Sequence, residues 1–334
     1  MITATQADLL RAALLKGDAA AAAFERWTAQ VDLERLDIDS TRLLPLVHAN
    51  LRAGVPLTGK IVGMQRHTWS KNQLLLRSVR RAVHDLSEAG VPSLLLRGMA
   101  IVLSAYDDWG LRTMSDAHIL IRPDAHNEAC GLLRSTGWTL SGTPHPDWPS
   151  VWTDASGQRV RLHTRSVQEA TDEFEESLWR DRVKIEEWDI PCREHLLMQT
   201  LTCGQFAPRG PAFRWVADAH WLMRRGVDLS RVWNLLPVSG LDAGWAEAMD
   251  EMKAIGFDMH GHAQHAPPEE RRAAFRALRR RHAWFGEIAR ARPWRRAGRD
   301  RAALLRAVFN LPDDAGLFRF GVGAAWKRWY LQRQ

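Results

Sequence analysis

Between residues 89 and 165, apolar runs too short for helices alternate with helical patterns, and this alternation constrains the fold most. The runs are Val91–Leu96, Ala117–Arg122 and Trp138–Leu140. Apolar runs of this length between turn signals are typical of buried strands. Segments 99–106 and 123–135 have helical patterns, and segments 151–153 and 159–164 flank a turn sequence ending in Gly157, which predicts a hairpin. The stretch therefore predicts a small unit of strands and helices.

The flanking segments have helical periodicity. Helices are predicted over 5–30, 40–53 and 60–89, and then repeatedly from 194 to the end of the sequence. The buried stripe predicted for the third helix consists of Leu74, Leu75, Val79, Val83 and Leu86. The predicted fold class is α+β: a small mixed-sheet core at 89–165, an N-terminal helical cap at 1–88, and a C-terminal helical domain at 166–334 with a basic tail.

Several protein classes are disfavoured. No apolar run approaches the ~20 residues of a membrane span. The N-terminus has no signal-peptide pattern, so a cytoplasmic protein is expected. The three cysteines are odd in number and widely spaced, which argues against a disulfide framework or a cysteine-rich zinc site. A histidine tract in a predicted loop is an alternative metal-binding element: His260, His262 and His265.

The charge is concentrated near the C-terminus. The chain has a net charge of +7. Residues 271–334 contain 17 Lys and Arg against 4 Asp and Glu, so the preceding residues are net acidic. Such a tail is either a solvated helical face or a docking surface for RNA or an acidic peptide.

The candidate site lies where a glycine turn and a polar tripeptide adjoin two predicted strands. Arg97-Gly98 follows the first strand, and Asp116-Ala-His118 opens the second. Asp116 and His118 are two residues apart, so on a strand both point to one side, with Ser115 next to them. A carboxylate near backbone amides and an arginine suits a divalent metal carrying a nucleoside triphosphate.

In order and spacing, these residues resemble the motifs of the uncharacterised bacterial nucleotidyltransferase family, a branch of the polymerase-β-like nucleotidyltransferase fold. The matching positions are Leu96-Arg97-Gly98, Tyr106, Arg112 with Asp116-Ala-His118, Arg161-Leu-His163, and Arg214, Trp215 and Asp218. The resemblance covers most of residues 5–240 and implies a nucleotidyltransferase-like core.

The resemblance also implies a chemistry and a set of roles. It implies nucleotidyl or phosphoryl transfer from a nucleoside triphosphate with Mg²⁺ or Mn²⁺. The implied catalytic residues are Asp116, His118 and His163, with Asp116 and His118 as metal ligands. The implied substrate- and phosphate-binding residues are Arg97, Gly98, Tyr106, Arg112, Ser115, Arg161, Arg214 and Asp218.

Three positions depart from the family pattern. Arg97 stands where the family has Lys, His118 where it has its second metal-binding Asp, and Arg161 at its third acidic position. Histidine is a poor ligand for Mg²⁺ and a good one for Zn²⁺, Mn²⁺ or Ni²⁺. If the two strands are neighbours, Asp116, His118 and His163 meet and would create a transition-metal site. The departures predict an active site that is reworked or lost.

Simpler structural roles remain open for some of these residues. Arg97 could pair with Asp107 or Asp108. Arg214 and Asp218, four residues apart, could form an ion pair on a helix surface.

Three classes of function follow. The first is a transferase with an altered site, which by analogy acts in the maturation of a ribosomally made peptide such as a lasso peptide. The second is a pseudoenzyme that keeps the fold as a binding module for an acidic peptide or protein partner. The third is a nucleotidyltransferase toxin directed at tRNA.

Overall fold

A mixed sheet lies at the centre of the computed structural model, which describes residues 2–141, 149–167, 170–205, 213–257, 267–277 and 279. Within these residues five strands pair in the order β1-β2-β5-β4-β3. Their bounds are Ser93–Leu96 (β1), Ala117–Ile121 (β2), Thr139–Ser141 (β3), Ser150–Thr153 (β4) and Arg159–His163 (β5). Strands β2 and β5 are parallel, and the other pairs are antiparallel. This is the predicted α+β class with a mixed sheet.

Helices precede, interrupt and follow the sheet. Their bounds are Ala4–Leu14 (α1), Gly17–Thr28 (α2), Ile38–Leu51 (α3), Gly59–Glu88 (α4), Arg97–Ala105 (α5), His126–Ser135 (α6), Asp172–Arg180 (α7), Arg193–Cys203 (α8), Arg214–Arg224 (α9), Leu229–Ser239 (α10) and Asp242–Ala254 (α11). Residues 269–277 are also helical. A second small sheet pairs β6 (Val183–Ile185) with β7 (Trp188–Ile190).

The parallel pairing of β2 and β5 positions the candidate site. Residues 119–121 of β2 are fully buried, as an apolar central strand requires. The register places His118 opposite Arg161, and Leu120 opposite His163. The strands are neighbours, so the site residues on each lie close together.

Three local expectations were wrong. Segment 5–30 forms two helices, because the chain breaks before Gly17, whose φ of 58° is in the left-handed region that glycine adopts readily. Helix α7 is followed by the β6–β7 hairpin, although only helices were predicted after residue 166. Its strands have three residues each, too few for a clear alternating pattern. Leu74 is 57% exposed, so it does not belong to the buried stripe of α4.

The β6–β7 hairpin packs against β1, the edge strand of the main sheet. Helix α4 holds the hairpin from the side. Arg80 Nε donates a 2.8 Å hydrogen bond to Glu187 Oε1, and the same guanidinium lies 5.7 Å from the ring centroid of Trp188. The hairpin thus covers one edge of the main sheet.

The beginning of the basic tail faces acidic residues of α11. Arg271 pairs with Asp242, Arg276 with Glu247, and Arg279 with Glu251, each at 2.7 Å. In the described part of the tail, these arginines therefore form ion pairs within the protein. The rest of the tail, and the tract of His260, His262 and His265, lie outside the described residues.

All described residues belong to one compact unit, and the division at 88 and 165 stays a prediction. In the described part of the chain, every helix is too short or too polar to cross a bilayer.

Candidate functional site

An open cleft lies where the β1–α5 turn and the start of β2 meet α8 and α9. Its volume is about 240 Å³, slightly below the usual range for small-molecule pockets. The charged lining residues are Asp39, Arg42, Arg97, Arg112, Asp116, Arg214 and Asp218. Sequence motifs more than 100 residues apart therefore converge on one cavity.

A buried ion pair forms the base of this cleft. Arg112 Nε and Nη2 donate hydrogen bonds to Asp218 Oδ1 and Oδ2, both at 2.8 Å. Tyr106 donates a third, at 2.8 Å, to Asp218 Oδ1. Burial would raise the pKa of Asp218, but the neighbouring Arg112 holds that pKa below its usual value. Asp218 is thus bound by Arg112 and Tyr106, and the surface pair with Arg214 considered from the sequence does not form.

Arg214 reaches the cleft and has no carboxylate hydrogen-bond partner in the part of the chain that the structure describes. Its Nη1 donates a 2.8 Å hydrogen bond to the carbonyl oxygen of Thr113. Burial, followed by the positive charge of Arg112, lowers the pKa of Arg214 to about 10. A lowered arginine pKa means that the surroundings compensate its charge incompletely.

The carboxylate of Asp116, just before β2, forms an ion pair with an arginine. Arg161 Nε donates a 2.6 Å hydrogen bond to Asp116 Oδ2. Ser115 Oγ donates to Asp116 Oδ1 at 3.1 Å, and His118 Nε2 lies 3.8 Å from the same oxygen. The carboxylate that the family pattern assigns to a metal is therefore held in an ion pair across the two parallel strands.

The two histidines contact each other. His118 Nδ1 and His163 Nε2 are 2.8 Å apart, so one nitrogen donates and the other accepts. Burial lowers the pKa of both rings well below the usual value, followed by nearby arginine charges for His118 and by His118 and then arginine charges for His163. Both rings are neutral near pH 7, so they contribute a hydrogen bond and no charge.

Arg97 occupies the turn that joins β1 to α5. Its φ of 52° is in the left-handed region, which is uncommon for a residue with a side chain. Its Nε is buried and has no hydrogen-bond partner among the described residues. The predicted alternatives do not form, because Asp107 pairs with Arg225 and Asp108 accepts hydrogen bonds from Gln65 and the Gly110 amide.

Gly98 is required by close packing. A Cβ added there would lie 2.5 Å from Arg112 Nη1 and 3.3 Å from Met114 Sδ. Arg112 cannot easily move away, because Asp218 holds its guanidinium at two points. The glycine thus lets the turn approach the buried ion pair.

The donor set at the strand mouth does not fit Mg²⁺. This ion requires oxygen ligands at near-octahedral geometry. Asp116 is paired with Arg161, and position 118 offers a neutral imidazole. Two histidine nitrogens bound to one Zn²⁺ would be more than about 3 Å apart, whereas His118 Nδ1 and His163 Nε2 are 2.8 Å apart. A transition metal could therefore bind between them only after their hydrogen bond breaks. Among the described residues, no group of three or more His, Cys, Asp or Glu side chains is placed to hold a metal.

Comparison with known proteins identifies the chain at the level of family. A family model described as an uncharacterised nucleotidyltransferase matches residues 38–247, well over half of the sequence. The chain belongs to the uncharacterised nucleotidyltransferase family. The match includes every residue of the cleft lining, so the cleft lies within the family domain.

Other similarities are distant. A solved structure of an antigenic nucleotidyltransferase-like protein from Paracoccidioides brasiliensis aligns over 63% of this chain and 98% of its own, with 15% identity and a TM-score of 0.35. That likeness is too distant to transfer residue roles. No curated protein matches the chain.

The structure brings together the residues that the sequence singled out, and their assigned roles stay predictions. Sequence reasoning did not single out Gln199 and Thr200, which line the cleft from α8. The signal for them lies in the fold and not in the sequence. Residues 194–202 of α8 are all buried, so polar side chains in the middle of this helix require polar partners.

Proposed function

We propose that this protein binds the polyphosphate of a nucleoside triphosphate with arginine side chains, at a site altered from that of a two-metal nucleotidyltransferase. The observation that carries the proposal is the 2.6 Å pair between Arg161 and Asp116. Two-metal phosphoryl transfer uses carboxylates to hold cations that offset phosphate charge. Here guanidinium groups supply positive charge directly.

The charge of the cleft favours an anionic ligand. Its described lining contains four arginines and three aspartates, and Arg161 adds a fifth guanidinium beside Asp116. Five positive groups against three negative groups leave a formal charge of +2, since both histidines are neutral. Arginine binds phosphate oxygens with a planar fork of donors, which suits this excess of charge.

The β1–α5 turn supplies the most direct contacts for phosphate. Helix α5 begins at Arg97, and no side chain of the described residues caps its N-terminus. Free backbone amides at a helix N-terminus attract anions. Arg97 Nε is unpartnered at the same turn, and Gly98 lines the cleft. Arg97 and the first amides of α5 therefore form the primary phosphate contact of the proposal.

Any group transfer at this site would use arginine for charge stabilisation. Arg97 and Arg214 would hold phosphate oxygens, whereas Arg112 and Arg161 are engaged by Asp218 and Asp116. The residues of the cleft do not distinguish the peptide-maturation hypothesis from the tRNA hypothesis. A basic tail would favour RNA, but four of its arginines pair with acidic residues of the same chain. Those hypotheses, the acidic-peptide alternative and a cytoplasmic location stay predictions.

Calorimetric titration tests the proposal. ATP, GTP, CTP, UTP and inorganic tripolyphosphate are titrated into the full chain, in MgCl₂ and separately in EDTA. We expect binding in both buffers, and a loss of at least tenfold in affinity for Arg97→Gln. Arg134→Gln, at an exposed arginine on α6 outside the cleft, is the matched control and should bind as the wild type does.

Two results would overturn the proposal. Binding that requires Mg²⁺ and disappears in Asp116→Ala would indicate a conventional metal-dependent transferase. Absence of binding to every phosphate probe would remove the nucleotide from the assignment. Titration with a polyglutamate peptide would then test the binding-module alternative.

A further inference from the structure

Gln199 is buried in the cleft without a hydrogen-bond partner. The residue is 3% exposed and lies on α8. Neither Nε2 nor Oε1 has a partner among the described residues. An unsatisfied buried polar group destabilises the folded protein, and this side chain has two.

A second buried glutamine shows the usual arrangement. Gln205 Nε2 donates to the carbonyl oxygens of Leu201 and Gly244 at 2.5 and 2.7 Å. Gln205 therefore has a structural role that its hydrogen bonds explain. Gln199, six residues earlier in the sequence, has no such bonds among the described residues and lines the cleft.

The surroundings of Gln199 suit a flat, partly apolar group. Leu196 and Cys203 share its face of α8, and both line the cleft together with Thr200. Ile101 and Trp215 add apolar surface from α5 and α9. Thr200 Oγ1 is also buried without a partner. Apolar walls with a few unsatisfied polar groups are typical of ligand-binding pockets.

We infer that Gln199 recognises the base edge of a bound nucleotide, with adenine as the preferred base. This inference rests on the proposed function, because the arginines would hold the phosphates of the same ligand. A glutamine amide presents a donor and an acceptor side by side. Adenine offers the complementary pair on one edge, an exocyclic N–H donor and a ring-nitrogen acceptor, and glutamine binds it at two points. Cytosine offers a similar pair on a smaller ring, and the apolar walls of the cleft favour the larger adenine ring. The substrate class is therefore an adenosine polyphosphate.

The test separates base recognition from phosphate binding. The four nucleoside triphosphates and inorganic tripolyphosphate are titrated calorimetrically into wild type and Gln199→Met, which keeps the length of the side chain and removes both hydrogen-bonding atoms. We expect the wild type to bind ATP at least tenfold more tightly than the other nucleotides. In Gln199→Met this preference disappears, while tripolyphosphate affinity is unchanged.

Each control addresses a different failure. Gln158→Met, in the β4–β5 turn outside the cleft, should keep the preference for ATP. Gln199→Glu removes the amide donor at nearly constant size and should also lose that preference, so it serves if Gln199→Met does not fold. Circular dichroism and thermal unfolding establish that each variant is folded.

Base-independent binding by the wild type, or a preference for ATP that survives in both Gln199 variants, would overturn the inference and leave the proposed function standing. Either result would be consistent with water as the partner of the Gln199 amide. Absence of tripolyphosphate and nucleotide binding in the wild type would instead overturn the proposed function.

Discussion

Arg161 Nε lies 2.6 Å from Asp116 Oδ2, and the pair links the two parallel strands at the mouth of the cleft. In the family pattern described above, both positions are acidic. Here the guanidinium of Arg161 supplies a positive charge at one of these positions. The pair compensates the charge of the Asp116 carboxylate within the protein.

Restoring the two acidic positions should create a metal site. In the double variant His118→Asp, Arg161→Asp, three carboxylates would face each other across β2 and β5. We expect Mn²⁺ to raise its melting temperature, since a ligand at 100 times its Kd stabilises a protein by about 2.7 kcal/mol. Thermal unfolding with and without Mn²⁺ measures this effect. Arg161→Gln removes the guanidinium without adding a carboxylate and should not respond. An equal response of wild type would contradict the prediction.

Removing the negative charge of Asp218 should destabilise the protein strongly. Asp218→Asn leaves the buried Arg112 guanidinium without its charged partner, which typically costs about 3–5 kcal/mol. Urea unfolding measures the change in unfolding free energy. Glu187→Gln breaks the exposed pair with Arg80 and should cost no more than about 1 kcal/mol. Similar losses in the two variants would show that Asp218 is not a structural anchor.

Two glycine substitutions should have opposite effects. Gly98→Ala places a methyl group 2.5 Å from Arg112 Nη1, so it should lower both stability and affinity for tripolyphosphate. Gly131→Ala, on the exposed face of α6, meets no atom within 4 Å. It should raise the unfolding free energy by about 0.5–1 kcal/mol, because alanine favours the helix interior. Thermal unfolding and calorimetry compare the variants, and an unchanged Gly98→Ala protein would contradict the packing argument.

Stability should fall as the pH decreases from 7 to 5. The pKa values of His118 and His163 lie well below 6.5 in the folded protein, and that of His195 is about 4. The unfolded chain therefore binds more protons below pH 6.5, so acidification favours unfolding. His195 alone accounts for a loss of about 3 kcal/mol by pH 4. Urea unfolding at several pH values measures the slope, and His118→Asn with His163→Gln should reduce it. A constant unfolding free energy from pH 7 to 5 would disagree.

The sequence predicted the sheet core better than its helical surroundings. The segments at 93–96, 117–121 and 159–163 are strands, as their short length between turn residues predicted. The hairpin at 183–190 was missed because two three-residue strands show too little alternation. The break before Gly17 was missed because helical residues continue on both sides of it.

The sequence predicted which residues come together at the site, but it did not predict which side chains pair with each other. Motif order brought Arg112, Asp116 and Asp218 into one candidate set, but side-chain partners depend on tertiary packing. Thus Asp218 pairs with Arg112, 106 positions away, and not with Arg214 on its own helix. Gln199 escaped attention because only the buried environment of α8 shows that its amide lacks partners.

The β6–β7 hairpin also bears on self-association. Strand β1 has one neighbour in the main sheet, so its other side would otherwise offer backbone groups to a strand of another molecule. The hairpin blocks that approach, and the Arg80–Trp188 contact keeps it in place. The strand that leads into the turn proposed to bind phosphate is thereby protected from aggregation, so loss of the hairpin would threaten solubility before it affected the cleft.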